Sequence, residues 1–214
     1  AGTLEVGGGG FVHLNFLYSN NVLNGGTIDS VIEYGTLGTV GALNVSHNLG
    51  FGYNVTVVDD TGANHYDIVV TPPVFDKSTV DGGDWSNSLI WDNGIPVSAD
   101  IVLINTLAVS HNAASTDTVT ALFLQSGGSL EISNGTFVIQ EQSRVDSSSS
   151  LSLNPNGTST GILRVENELI VEGVMDWGNG VITTTNPGPL NLIGLNIIGT
   201  LNLTPGPDTA VNAT

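Results

Sequence analysis

The chain of 214 residues carries 20 acidic side chains against three basic ones, a formal net charge of −17 at pH 7. Nucleic acids and anionic membrane surfaces are bound through Lys and Arg, so this charge argues against both as partners. The sequence contains no cysteine, which excludes thiol catalysis, Cys-based zinc sites and disulfide bonds.

The composition favours a folded, all-β, extracellular protein. Charged residues make up only 11% of the chain and the mean hydropathy is +0.20, unlike a disordered acidic chain. Val, Thr, Asn and Gly are abundant, and helix formers do not accumulate at helical spacing. No apolar run is long enough for a transmembrane helix, so we expect no membrane insertion. The chain begins at Ala1, as a processed exported protein or a fragment would, and we expect it outside the cell or at the cell surface.

The first 75 residues predict a small β domain, either a β-sandwich or an extension of a solenoid. Apolar alternation predicts four strands, which are 11–17, 28–33, 53–58 and 66–71. The last two read as a hairpin, with Asp59 and Asp60 in its turn. Pro72 and Pro73 end the ladder because neither can donate a backbone hydrogen bond. We therefore place a domain boundary near residues 72–82, with a first domain at 1–75 and a second at 76–214.

The second domain repeats an apolar-x-apolar pair followed by a turn of Gly, Asn or Ser. The pairs are Leu122/Leu124, Leu130/Ile132, Phe137/Ile139, Leu151/Leu153, Leu163/Val165, Leu169/Val171, Leu190/Leu192, Leu195/Ile197 and Leu201/Leu203. Several successive pairs start six to eight residues apart, so three strands with their turns make a lap of roughly 20 to 26 residues. This is the period of a three-faced parallel β-helix, in which each strand stacks on the lap below.

An antiparallel sandwich is the alternative for this domain. Such a fold uses Asn-Gly hairpins, and the sequence contains these dipeptides at Asn93, Asn134, Asn156 and Asn179. Asn and Gly also fill the left-handed corners of a β-helix, so the dipeptides fit both folds. The short pairs and short spacing favour the solenoid.

Residues 84–104 place two tryptophans, then Gly, Pro, Asp and an apolar strand, ahead of these repeats. The positions are Trp85, Trp91, Gly94, Pro96, Asp100 and Val102. From about residue 80 to 185 the chain resembles bacterial exported β-helical repeat proteins of the autotransporter-passenger and large surface-adhesin class. The resemblance implies a right-handed β-helix with a structural or adhesive role, and it carries over no catalytic residues. The bulky tryptophans can cover the open first lap, whose strand edges would otherwise recruit another chain.

Metal sites are weakly indicated. The four histidines are scattered, apart from the neighbouring His65 and Asp67. Carboxylates in Gly-containing turns make calcium a possible cofactor, with Asp59, Asp60, Asp81 and Asp84 as candidate ligands. Neither group matches an EF-hand or a glycine-rich calcium repeat, and turn-forming Asp is the commoner explanation.

We expect no enzyme. Glycan-cleaving β-helices need paired carboxylates on one face, and the best local cluster is Glu166, Glu168 and Glu172 beside Arg164. Strand alternation puts Arg164, Glu166 and Glu168 on the outer face, where mixed charge is typical of a solvated surface. No nucleophile elbow or phosphate-binding fingerprint is present.

The sequence fits best a structural subunit of an extracellular fibre, sheath or adhesin that self-associates into a homopolymer. Solenoid ends and strand edges offer the contacts. The candidate assembly residues are Phe11, Val12, Leu14, Phe16, Leu195, Ile197, Leu201 and Leu203. The alternative is a carbohydrate-binding or carbohydrate-cleaving β-helix that meets a glycan or cell-surface ligand through exposed aromatic residues. Its platform candidates are Tyr18, Tyr34, Trp85, Trp91 and Trp177.

Six Asn-x-Ser/Thr sequons are candidate glycosylation sites in an exported protein. They are Asn44, Asn54, Asn134, Asn156, Asn202 and Asn212.

Overall fold

The structure is a computed structural model. It describes residues 4–7, 11–14, 26–33, 44–47, 49, 51–60, 65–154, 161–184, 195–203 and 210–213. Strands dominate these residues, and the single helical element in them is a 3-10 helix at Ser88–Ile90. The predicted all-β class is confirmed. The chain divides into two compact units, residues 1–73 and residues 74–214.

The first unit contains two three-stranded sheets. Its strands are β1 (Leu4–Gly7), β2 (Phe11–Leu14), β3 (Gly26–Glu33), β4 (Asn44–His47), β5 (Asn54–Asp60) and β6 (His65–Thr71). One sheet has the order β1-β2-β4, with β1 antiparallel and β4 parallel to β2. The other has the order β3-β6-β5 and is antiparallel throughout.

The predicted hairpin of β5 and β6 is confirmed, but its turn is not where the sequence suggested. Pairing runs from Asn54 opposite Thr71 to Asp60 opposite His65. Asp59 and Asp60 therefore belong to β5, and their predicted position in the turn is wrong. Every second residue of β6 is buried, as expected for a strand with one face on the core. Because of this pairing, β5 ends at Asp60, two residues beyond the end that the apolar pattern predicted.

The second unit contains seventeen described strands. They are β7 (Asp76–Lys77), β8 (Gly83–Asp84), β9 (Ile101–Asn105), β10 (Ala108–His111), β11 (Thr116–Val119), β12 (Ala121–Gln125), β13 (Ser129–Ile132), β14 (Gly135–Ile139), β15 (Ser143–Val145), β16 (Ser150–Leu153), β17 (Gly161–Val165), β18 (Leu169–Val171), β19 (Val174–Trp177), β20 (Gly180–Thr184), β21 (Leu195–Ile197), β22 (Thr200–Leu203) and β23 (Ala210–Ala213).

These strands form three parallel sheets, which we call together the stack. The first sheet has the order β7-β9-β12-β15-β18-β21, the second β8-β10-β13-β16-β19-β22, and the third β11-β14-β17-β20-β23. From β9 onward the chain enters the first, second and third sheets in turn, so every strand pairs with the strand three further along. We call each set of three successive strands a layer, and β21, β22 and β23 are the final layer.

The predicted parallel pairing is confirmed in register. Leu130 lies directly opposite Leu151, and Phe137 opposite Leu163. The Asn134–Gly135 dipeptide joins β13 to β14, which lie in different sheets, and Gly135 has a φ of +69°. Glycine suits this left-handed backbone because it has no Cβ. The dipeptide is a corner between sheets rather than a hairpin, and the antiparallel alternative is wrong for this unit.

One hydrophobic cluster draws on all three sheets. Residues that share a register position form columns of buried side chains along the stack. In the second sheet one column is Val109, Leu130, Leu151 and Met175, and in the third sheet one is Phe137, Leu163 and Ile182. Each layer thus buries its apolar pair against the layers on either side, which is where a short strand obtains its stability.

Candidate assembly surface

The final layer continues the core columns to a solvent-exposed end. Leu201 lies opposite Met175 at the end of the second-sheet column. Leu130, Leu151 and Met175 are at most 1% exposed, whereas Leu201 is 41% exposed. The difference arises because a residue in the middle of a column is covered from both sides, while the last residue is covered from one side.

The first sheet behaves in the same way. Leu195 and Ile197 lie opposite Leu169 and Val171, which are fully buried. Leu195 and Ile197 are only partly buried, although both pack against the core cluster. The neighbouring Ile198 is 64% exposed. The end of the stack therefore leaves Leu195, Ile197 and Leu201 partly exposed at register positions that are buried in the preceding layer.

The backbone at this end is also available to a further strand. Among the described residues, β21, β22 and β23 each have a strand neighbour on one side only, because each is the outermost strand of its sheet. The N–H and C=O groups on the other side of an outermost strand can pair with another chain. Residues 195–203 contain no charged side chain of their own.

The opposite end of the stack is closed by aromatic side chains. Trp85, Ile90 and Trp91 belong to the core cluster, and Trp85 is 1% exposed. The Trp85 ring makes edge-to-face contacts with Trp91 and Phe137, with centroids 4.7 Å apart in both pairs. The indole N–H of Trp91 donates to the carbonyl oxygen of Trp85 over 2.9 Å.

Two of the three outermost strands at the closed end are short, while β11 has four residues. β7 and β8 have two residues each, and in the described residues the third sheet begins only at β11. A two-residue edge strand offers little backbone for pairing. The two ends of the stack therefore differ both in their strand edges and in what covers the core.

The prediction that the strand near the N-terminus pairs with another subunit is wrong. Phe11, Val12 and Leu14 lie in β2, which is the central strand of its sheet, paired with β1 on one side and β4 on the other. Strand addition at β2 is excluded because both of its edges are occupied. Phe16 lies outside the described residues. The C-terminal candidates Leu195, Ile197, Leu201 and Leu203 all lie in the final layer.

Asp81 and Asp84, two of the calcium candidates, accept hydrogen bonds from nearby protein groups. A carboxylate oxygen of Asp81 accepts a hydrogen bond from the Ala108 N–H over 2.8 Å. A carboxylate oxygen of Asp84 accepts from both the N–H and the hydroxyl of Ser86. These contacts are those of turn-forming Asp residues. Asp59 lies in β5, and Asp60 lies beside His65.

The carboxylates of the expected outer-face cluster are separately paired. Glu166 forms an ion pair with Arg164 at 2.6 Å, and Glu172 forms one with Arg144. Glu168 accepts a hydrogen bond from the Gln142 side chain over 2.7 Å. Burial lowers the pKa of Arg144 from its ordinary value, and its hydrogen bond with Glu172 opposes that shift. The buried Arg144 and the half-buried Glu172 form an ion pair that the sequence pattern did not indicate.

The three tryptophans are not platforms for sugar stacking. Trp85, Trp91 and Trp177 are all buried, and the indole N–H of Trp177 donates to the carbonyl oxygen of Gly180 over 2.9 Å. The notion that they stack on a glycan is wrong, because their ring faces are covered by the core. Tyr18 and Tyr34 lie outside the described residues.

The sequons occupy different environments. Asn54 is exposed in β5, and Asn134 is half-buried with its side-chain oxygen accepting from the Gly135 N–H over 2.9 Å. Asn202 is exposed in β22 and donates to a carboxylate oxygen of Asp176 over 2.7 Å. Asn44 lies in β4 and Asn212 in β23, while Asn156 lies outside the described residues.

A buried polar group near the closed end was not predicted from the sequence. His111 is 1% exposed, with Nδ1 2.9 Å from the Asn134 carbonyl oxygen and Nε2 2.8 Å from a carboxylate oxygen of Asp117. Asp117 also accepts from the Ser115 hydroxyl over 2.6 Å. Asp117 lies opposite Phe137, at a register position that is apolar in later layers. The signal in the sequence is that Asp117 interrupts a register position that is otherwise apolar.

Comparisons with protein-family models, with curated proteins and with solved structures give no match to this chain. Among the described residues, no helix has the length and apolar character needed to cross a bilayer.

Proposed function

We propose that residues 74–214 form a right-handed, three-sided parallel β-helix, and that the protein is a non-catalytic structural subunit of an extracellular fibre, sheath or surface adhesin. The strict rotation of the chain through three parallel sheets and the core shared by all three support the β-helix. Right-handedness follows the strong preference of parallel crossover connections. The resemblance of residues 80–185 to exported bacterial repeat proteins points to the same role and location.

The observation that carries the assembly proposal is the unequal exposure of the two ends. Burying the final layer against another strand layer would remove Leu201 and its neighbours from water and pair the open edges. At the closed end two of the three outermost strands have two residues each, and Trp85 and Trp91 cover the core. Self-association therefore uses the final layer, and the candidate residues are Leu195, Ile197, Leu201 and Leu203.

The geometry also sets what one such contact can build. If the final layers of two copies meet, the same surface is used on both sides, and an isologous contact of this kind closes a dimer. A fibre needs a second surface on the same subunit. In the described part of residues 1–73, β5 is an outermost strand and exposes Val58 to 45%. We propose β5 as that second surface.

Sedimentation velocity over a concentration series, with negative-stain microscopy of the same samples, tests the proposal. We expect wild-type chain to associate and Leu201→Asp to associate about thirtyfold more weakly, since burying a charge at an apolar contact costs about 2 kcal/mol. Ile162→Asp is the matched control, because Ile162 lies in mid-stack β17 opposite Thr136 and Val181 and is only half-buried. Equal association of wild type and Leu201→Asp would contradict the proposal.

A groove of about 290 Å³ supports glycan binding as the second candidate function. It lies on the outward side of the second sheet, and its polar lining includes Ser110, Ser129, Glu131, Ser150 and Ser152. Hydroxyls and a carboxylate in a shallow groove are suitable hydrogen-bond partners for sugar hydroxyls. Saturable binding on a glycan array that is lost in Glu131→Gln and retained in Ile162→Asp would support this function. Absence of binding to any glycan would reject it.

A further inference from the structure

Three potential metal ligands meet on one side of the β5–β6 hairpin. Nε2 of His65 lies 3.0 Å from a carboxylate oxygen of Asp67 and 3.8 Å from a carboxylate oxygen of Asp60. One ligand atom from each of the three residues lies within 4.8 Å of the other two. The carboxylates thus converge on a single imidazole nitrogen.

The backbone explains why these residues meet. Asp60 lies directly opposite His65 in the antiparallel register, and Asp67 follows His65 by two positions in β6. Paired residues and residues two apart share one face of a sheet. The His65 and Asp67 side chains are 14% and 16% exposed, while Asp60 is 48% exposed. The group is therefore held by a regular ladder and is open to solvent on the Asp60 side.

The charge of this unit provides a second observation. Residues 1–73 contain six acidic residues and no Lys or Arg, since Lys77, Arg144 and Arg164 all lie in the second unit. The three histidines are the side chains of residues 1–73 that can carry positive charge. Two carboxylates beside one imidazole leave an excess of negative charge that a bound cation would neutralise.

We propose that Asp60, His65 and Asp67 bind a divalent transition-metal cation, with Zn²⁺ as the best match. Zinc takes imidazole nitrogen and carboxylate oxygen at about 2.1 Å, which separates neighbouring tetrahedral ligands by about 3.4 Å. The separations of 3.0 and 3.8 Å bracket that value. Calcium takes oxygen ligands, so the central imidazole disfavours the calcium expected at Asp60.

The site has a structural consequence. Its ligands come from both strands of the hairpin, so the metal would cross-link β5 to β6 next to residues 61–64. A ligand that binds the folded state alone raises the melting temperature as its concentration rises.

Isothermal titration of chelator-treated full chain with zinc chloride at neutral pH tests the site. We expect saturable one-to-one binding that weakens by at least about tenfold in each of Asp60→Asn, His65→Gln and Asp67→Asn. Asp176→Asn is the control, because it removes a carboxylate from the outward side of the second sheet, where Asp176 meets Asn202. Calcium chloride should give at least about tenfold weaker binding than zinc.

Two further readouts separate loss of ligands from loss of fold. The circular dichroism of each metal-free variant should match that of the wild type, and zinc should shift the Nε2 resonance of His65 in the wild-type NMR spectrum. The proposal is overturned if zinc up to about 1 mM gives no saturable binding. It is equally overturned if binding survives all three substitutions, or if calcium binds as tightly as zinc.

Discussion

The two ends of the three-sheet stack solve the same physical problem differently. A parallel stack has no natural stopping point, because its edges and its core columns can continue with each added layer. At the first end, Trp85 and Trp91 fill the core, and the first strands of two of the three sheets have only two residues each. At the last end, full-length strands stop with Leu201 partly exposed. The contrast teaches that a terminator is encoded at one end and is missing among the described residues at the other.

The largest expected effect on the free energy of unfolding comes from a substitution at the closed end. Trp85→Ala should lower the free energy of unfolding of residues 74–214 by about 4 kcal/mol, because it leaves a large cavity among Trp91 and Phe137. Leu201→Ala should cost less than about 1 kcal/mol in the monomer, since its column ends in solvent. Denaturant unfolding of both variants measures the difference. Equal costs would show that the two ends do not differ in packing.

A second prediction concerns the buried polar group beneath the closed end. Both ring nitrogens of His111 lie within hydrogen-bond distance of oxygen atoms, the Asn134 carbonyl oxygen and a carboxylate oxygen of Asp117. Asp117→Asn should therefore cost about 2 kcal/mol, below the usual range for a fully buried pair because the Asp117 side chain is 24% exposed. Ser115→Ala removes one hydrogen bond to Asp117 and should cost no more than about 1 kcal/mol. A larger cost for Ser115→Ala, measured by the same unfolding assay, would reject the pairing.

The closed end should also respond to pH. Burial, then a hydrogen bond with Asp92 and the charges of Asp92 and Asp100, raises the pKa of Asp76 from 3.8 to about 7. The folded chain therefore holds this proton more tightly than the unfolded chain, and the free energy of unfolding falls as pH rises from about 4 to about 7. Asp76→Asn should flatten this slope in denaturant titrations across that range. An unchanged slope would assign the pH dependence to other groups.

The smallest expected effect concerns the open end. Two copies that meet through uncharged final layers still carry a net charge of −17 each. Salt screens this repulsion, so association should strengthen by about threefold between low and physiological ionic strength. Sedimentation at several salt concentrations measures the change. Association that weakens with salt would indicate an interface built on ion pairs instead of apolar columns.

Much of the stack was predictable because its strands follow a local rule. The apolar-x-apolar pairs at Leu130, Phe137 and Leu151 mark β13, β14 and β16, since alternation alone identifies an inward pair. The pattern missed β15 and β11, where an inward position is Ser143 or Asp117. Ser143 accepts from the Leu122 N–H over 2.9 Å, a contact with the preceding layer that no local pattern reveals.

The wrong predictions depended on which strands become neighbours. Phe11 and Val12 form a strand as expected, yet nothing local shows that β1 and β4 occupy both of its edges. Asp is common in turns, but Asp60 pairs with His65 and therefore belongs to the β5–β6 ladder. The final-layer residues were identified because they continue the apolar repeat. Their exposure follows from their place at the end of the stack.

Hydrogen exchange of the associated chain, compared with the Leu201→Asp monomer, tests the central contrast most directly. If the open end is the joining surface, association will slow amide exchange in residues 195–203 and leave residues 76–91 unchanged. Slower exchange in residues 76–91 with none in 195–203 would contradict the account, because the closed end would then be the one that recruits a partner.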